Sequence, residues 1–513
     1  MAVSFPSLGT LASAIAVYIL ARILYQIIHY RFFHPLAQFP GPFWGSVTRL
    51  WITYHSVRGT EQQVFAALHE KHGPVIRVTP TMLLVDDATK LPLIYHRAAD
   101  KSQHYISGSI GPTEALFNIQ PHKLHARYRK IAAAPYSFTS IKKMEPLVDA
   151  HIGHWISRLD TLFASAEAAK PFDFCPWAVY MAYDVVSEVG FGAPFGFVAQ
   201  GRDVAGLIKG MHDGLVPFGI LVRLYPLTRW IMSTWVGKKY LVARPENKNG
   251  FGTLMRFRDA LIARRLQEID EGNKVRVDLL QTFIEARDED GKPLPMEYIK
   301  AEVLLVLIAG ADTTGTAFHA LVKCVLSHPA VYAKLMAELD VATRDNKLSS
   351  PVPLYEEVQA HCPYYLACVS EAMRLIPSAP SIFPRLVSKG GMELDGKHVP
   401  EGMEVTAHTA LVQRDVNIYG EDAGEFRPER WLESKKKARE YAKYSMTFGY
   451  GSRACLGQHV ANMEMYKAPL QFFRTFTVKL CDAEKPAKYQ VKGGVACFED
   501  MWVTIERRPD TRV

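Results

Sequence analysis

A chain of 513 residues that is 48% hydrophobic can bury a large core, and its length alone would allow two to four domains, although the motifs below argue for one large unit. A net charge of +8 suits nucleic acid, anionic lipid or an acidic protein partner, and no motif supports nucleic acid. Seven cysteines, at 175, 324, 362, 368, 455, 481 and 497, form no C-x-x-C pair, and their odd number argues against a disulfide framework and for a reducing compartment.

The first element is apolar. Leu8 to Ile28 is interrupted only by Arg22 and Gln26, and about 20 such residues span a bilayer as a helix. A cleaved signal peptide would carry Lys or Arg before the apolar run and small residues after it, and neither is present. Residues 1–30 are therefore expected to form a single-pass anchor. The cations lie on its C-terminal flank, Arg22 and Arg31 with His29 and His34, which places the remainder of the chain in the cytosol. Residues 31–45 contain Pro35, Pro40 and Pro42, cannot continue a helix, and are expected to form a stiff hinge before one globular unit at 46–513.

Beyond the hinge the pattern predicts a helix over Glu61–His72, stopped by Gly73-Pro74. Val75–Val78 and Met82–Val85 follow as a strand pair. Strands return only around Pro384–Val399 and in the last forty residues, and long helical patterns fill the interval. The fold class is thus mainly α with a minor β region. Lys435-Lys436-Lys437 reads as a solvated loop.

Three stretches carry chemistry. Tyr298–His328 predicts a long helix with an apolar middle, followed by Ala309-Gly310-Ala311-Asp312-Thr313-Thr314-Gly315-Thr316. Each Gly inside a helix costs about 1 kcal/mol relative to Ala, and a buried unpaired Asp costs more; such violations mark functional sites. Glu371 and Arg374 stand at i, i+3 on a helix over Pro363–Ile376 with apolar flanks, upstream of Phe426-Arg427-Pro428-Glu429-Arg430-Trp431. Finally, Phe448-Gly449-Tyr450-Gly451-Ser452-Arg453-Ala454-Cys455-Leu456-Gly457 holds one thiol in a glycine-punctuated turn before an apolar helix. A lone Cys is ordinarily a small buried hydrophobe. Here the glycines give backbone freedom and room for a flat group, and Arg453 offers a fixed cation. There is no H-E-x-x-H, G-x-S-x-G or Walker sequence, and Gly190-Phe191-Gly192 is too weak for nucleotide binding.

These motifs resemble those of the cytochrome P450 family: Phe-x-x-Gly-x-Arg-x-Cys-x-Gly, Ala/Gly-Gly-x-Asp/Glu-Thr-Thr, Glu-x-x-Arg and Pro-Glu-Arg-Phe/Trp, in family order over essentially the whole chain. The anchor followed by prolines is similar to microsomal members. Asp184–Ile231 and the wording of the hinge look like fungal pisatin-demethylase-like enzymes of secondary metabolism. The resemblance implies the P450 fold, with a long central helix over a haem b whose iron takes the Cys455 thiolate. It implies that Phe448, Gly449 and Gly457 shape the loop and that Gly310 lets the helix approach the haem. Asp312 and Thr313 then manage protons and oxygen, and a buried network of Glu371, Arg374 and Arg430 braces the Cys455 loop. Haem propionates need cations, and Arg453, Arg385 and Arg129 are the candidates. His125 stands where many members have Trp, and its contact with a propionate stays open.

The resemblance further implies a monooxygenase inserting one atom of O2 into a lipophilic small molecule at the endoplasmic reticulum membrane. Electrons would come from NADPH through a separate NADPH–cytochrome P450 reductase, since the stretch after Cys455 is too short for a flavin domain. The acidic face of that reductase would meet Lys123, Arg127 and Lys130. The pocket would draw on Ser107–Ile110, Leu215–Leu221, Ala309 with Ala311, Ala379–Phe383 and Gly494–Phe498. A P450-fold isomerase or dehydratase needing no reductase, and a non-enzymatic haem-binding scaffold, remain open alternatives.

Overall fold

The computed structural model describes residues 8–108, 113–164, 170–240, 242–247, 250–272 and 276–509. Helix α1 (Leu8–Ile28) is a single apolar rod, and residues such as Leu11, Ile15, Leu20 and Leu24 are about half exposed or more along its whole length. With the turn that follows it, the segment Gly9–Phe33 is a candidate membrane span by length and apolar composition, and the described residues leave its side chains uncovered.

The proline-rich stretch is packed against the body. Leu36 and Phe39 are buried with the small β region, and the Arg77 N–H donates to the Pro40 carbonyl at 2.7 Å. A Cβ on Gly41 would stand 2.2 Å from the Arg77 carbonyl oxygen, so glycine there permits the close approach.

Helix α2 (Glu61–His72) ends at Gly73, whose φ of 91° only glycine adopts readily. It leads into β1 (Val75–Thr79) and β2 (Met82–Val85), which are buried on both faces. The remaining strands of that sheet are β3 (Arg385–Leu386) and β4 (Glu404–Ala407), in the order β1-β2-β4-β3. Sequence reading ended this strand region at Val399 and missed β4. Yet β4 is the strand that pairs with β2, in parallel, with Leu83 opposite Val405.

The helical body holds the main core. It includes α3 (His122–Ala132), α4 (Phe174–Phe191), α5 (Leu207–Arg223), α6 (Tyr225–Ser233), α7 (Met296–Ala309), α8 (Ala311–Leu326), α9 (Pro363–Leu375) and α10 (Gln458–Thr475). The long helix expected over 298–328 is two helices, α7 and α8, interrupted at Gly310. Together they are apolar enough to pass for a membrane span, but they are buried inside the body and have α4 packed along them. The three consecutive lysines open a helix, Lys435–Tyr444, instead of lying in a loop. Ser434 caps that helix by accepting from the Lys437 N–H.

Candidate active site

The interruption between α7 and α8 borders a cavity of about 1010 Å3. At the break the hydroxyls of Thr313 and Thr314 turn back onto the carbonyls of Ala309 and Gly310, at 2.9 and 3.2 Å. Such bonds compete with the helical ladder and bend it. Gly310 is required sterically: a Cβ there would stand 2.6 Å from Val186 Cγ2 on α4, and both residues border the cavity. Packing against α4 thus accounts for the residue at least as directly as approach to a cofactor. Asp312 is buried, yet touches the cavity. Its Oδ2 accepts from the Tyr183 hydroxyl at 3.2 Å, and its Oδ1 lies 3.2 Å from His212 Nε2 on α5.

Facing α7 and α8 across the cavity is the loop of Cys455. Gly449 and Gly451 adopt φ of 74° and 68°, which turn the chain, and the Cys455 N–H closes it by donating to the Phe448 carbonyl at 2.7 Å. Gly457 has an ordinary φ of −73°, so backbone freedom is not its role. A Cβ there would lie 3.8 Å from the Cys455 sulfur, so its hydrogen keeps the space beside the thiol open. Cys455 has an exposed thiol that borders the cavity, with protein packed densely around it. Burial pushes its thiol up. The N–H groups of Gly457 and Gln458 at the start of α10, with the Arg129 cation, act against that and favour the thiolate.

One side of the cavity is cationic. Arg129, Arg385, Arg453 and Lys101 all border it, and sequence reading missed Lys101. Among the described residues, none of their bonds goes to a carboxylate. Arg129 donates to the Ala454 carbonyl, Arg385 to the Tyr105 hydroxyl, Arg453 to the carbonyls of Ile119 and Gln120, and Lys101 to that of Phe117. Burial and then the neighbouring Arg385 lower Arg453 to about 10, and burial lowers Lys101 well below its ordinary value. His125 is buried among them and is held at about 3 by burial and these cations, so it faces the cavity as a neutral ring. Buried charges of one sign are costly without a counter-charge. A flat ligand carrying two carboxylates beside this cluster, with the thiol beneath it, is what the donor set fits. Lys123, Arg127 and Lys130 on α3 are exposed.

Behind the loop, Glu371 is fully buried between Arg374 and Arg430. It accepts from Arg374 at 2.8 and 2.7 Å, from Arg430 Nε at 2.8 Å and from the Trp431 indole at 2.9 Å. The connection to the loop runs through Gln413, which sequence reading also missed. Its amide donates to the Arg374 carbonyl at 3.0 Å, and its oxygen accepts from the Met446 N–H and the Thr447 hydroxyl. Phe448 follows directly.

Of the expected pocket, Leu215 and Phe218, Ala309, Ala379 and Ser381–Phe383, and Gly494 with Val495 border the cavity. Ala311 is buried in the core, and Cys497 and Phe498 do not reach the cavity. The side chains of residues 107–110 lie outside the described residues.

A profile of the family Cytochrome P450 matches residues 37–499. The chain belongs to the cytochrome P450 family. Among its relatives, quiannulatic acid synthase of Emericella variicolor is 39% identical over 507 residues, covering 96% of this chain and 94% of the relative. Cytochrome P450 monooxygenase gsfF of Penicillium aethiopicum is 31% identical over 482 residues, covering 92% and 94%. Cytochrome P450 monooxygenase ABA1 of Pyricularia oryzae is 28% identical over 498 residues, covering 94% of each. The chain is thus an oxidoreductase of the P450 monooxygenase kind, similar to fungal secondary-metabolism members. Its family implies a haem with thiolate-bound iron, and the cavity floor and cationic side fit that group.

Proposed function

We propose that this P450 inserts one oxygen atom from O2 into a lipophilic intermediate of fungal secondary metabolism, with electrons from NADPH delivered by a separate reductase. The observation that carries the reading is the placement of Asp312 and Thr313 across one cavity from Cys455. Bound haem supplies the oxygen chemistry at its iron. Cys455 holds the iron, with the Gly457 and Gln458 N–H groups moderating its charge. Arg129, Arg385, Arg453 and Lys101 take the propionates, beside the neutral His125. Apolar side chains such as Leu215, Phe218, Leu305, Ile308 and Val495 hold the substrate and exclude water. The Thr313 hydroxyl and the Asp312 carboxylate control protons on that side of the cavity. Lys123, Arg127 and Lys130 form the reductase-facing cations. The 39%-identical relative is named for an acid product, so oxidation carried to the acid level is the first outcome to seek here.

Co-expression with a reductase, feeding lipophilic candidate pathway intermediates and measuring product against NADPH consumed, tests the reading. Thr313→Ala is expected to retain haem and substrate binding while diverting electrons to peroxide. Asp312→Asn is expected to slow turnover, with general-acid effects commonly about 10²- to 10⁴-fold. An unchanged ratio and rate in both variants would overturn the oxygen-activation roles. Turnover without NADPH or reductase would point to an isomerase.

A further inference from the structure

Asp312 has a partner that the family motif does not contain. His212 sits on α5, the helix that roofs the cavity, and its Nε2 lies 3.2 Å from Asp312 Oδ1. An ionised carboxylate only accepts, so Nε2 carries the hydrogen. Asp312 borders the cavity and His212 does not, while the His212 side chain is 32% exposed against 9% for Asp312. The order from outside inward is therefore solvent, His212, Asp312, cavity. The second Asp312 oxygen accepts from the hydroxyl of Tyr183, which is buried.

We infer that His212 is the positioning residue through which protons reach Asp312: its Nε2–H gives a proton to Oδ1, and the imidazole regains one from solvent. The inference rests on the monooxygenase reading. Burial works to lower the titration of His212, but the hydrogen bond and charge of Asp312 prevail and hold it above the ordinary value. Other charged groups facing it leave that balance intact. Lys492 and Glu499, on the paired strands Lys488–Lys492 and Val495–Glu499, are ion-paired with each other at 2.8 Å. His319 on α8 is held neutral at about 4 by burial, with Nε2 2.9 Å from the Cys175 carbonyl. Asp213, next in sequence, is engaged by Lys209. His212 thus keeps its proton to higher pH than a free histidine and loses it as pH rises through its raised value.

Two measurements on the full-length haem protein in lipid nanodiscs test this. In the first, imidazole NMR follows His212, identified as the resonance missing from His212→Gln. It is expected to titrate above a free histidine in wild type and to return toward the ordinary value in Asp312→Asn. In the second, reductase-driven NADPH consumption is followed against pH. Wild type is expected to slow as pH rises through the His212 titration. His212→Gln, which keeps a hydrogen-bond donor without a titrating proton, is expected to be about tenfold slower or more at neutral pH, with that pH step absent. A His212 that titrates normally in wild type overturns the contact. A His212→Gln variant with wild-type rate and pH profile and full haem content overturns the relay. Absence of NADPH consumption by wild type would instead count against the monooxygenase reading, and the NMR titration would still decide the contact.

Discussion

Two glycines of the motifs serve different physical ends, and substitution separates them. A methyl at position 310 must displace Val186 from 2.6 Å, and forcing extra volume into a packed core costs about 1–3 kcal/mol. Gly310→Ala is therefore expected to lower thermal stability even in protein without haem. Gly457→Ala meets only an ordinary contact with the Cys455 sulfur, at an allowed φ. That variant is expected to fold with near wild-type stability, while the methyl beside the thiol weakens haem retention or shifts its absorption spectrum. Equal stability losses in both would show that the two positions are not distinguished in this way. Cys455 itself is expected to be the sole source of the thiolate signature: Cys455→Ala should lose the red-shifted band of the reduced carbon monoxide complex. Retention of that band would place the ligand elsewhere.

Between elements, the Glu371 network ties α9 to the Cys455 loop. A surface pair at i, i+3 contributes about 0–1 kcal/mol, but here all three charges are buried. Glu371→Ala would remove the carboxylate that Arg374 and Arg430 share, leaving Arg430 with Asp422 at 3.1 Å, and breaking a buried ion pair costs about 3–5 kcal/mol. The expected result is loss of folded, haem-binding protein, read by thermal unfolding and haem content. Gln413→Ala should leave the ion triad formed yet loosen Met446 and Thr447, so haem binding should weaken more than stability. The pH dependence has a definite sign. Burial raises the Glu371 carboxyl, but Arg374 and Arg430 prevail and hold it below the usual value. Its stabilisation is thus complete at neutral pH and is lost in acid, as pH falls below the ordinary carboxylate range through the depressed value. The Glu-x-x-Arg spacing was legible in sequence because i, i+3 residues share a helix face. Gln413 was not, because a single Gln between Val412 and Arg414 carries no periodic signal and its partners lie more than thirty positions away.

Across the whole molecule, α1 stands apart from the packed body, since its apolar residues are exposed throughout. Removing residues 1–28 is expected to abolish membrane partitioning and leave thermal stability nearly unchanged. The Tyr30 carbonyl, which accepts from Arg77 at 2.7 Å, would still be present. In microsomes, added protease is expected to digest the body, as a cytosolic orientation requires, and carbonate washing should not release the full chain; protection of the body would reverse the orientation. The sequence by itself determined what depends on neighbours along the chain: the apolar run of α1, the bounds of α2 with its Gly stop, the hairpin β1–β2, and the short motifs around Asp312, Glu371 and Cys455. Only tertiary structure decided which residues converge from distant segments. Lys101 joins Arg129, Arg385 and Arg453, β4 enters beside β2, Val186 sets the need for Gly310, and His212 reaches Asp312 from the roof. Each of these is a contact between groups whose local sequence is unremarkable, and their energies come from burial and charge proximity, which spacing along the chain does not encode.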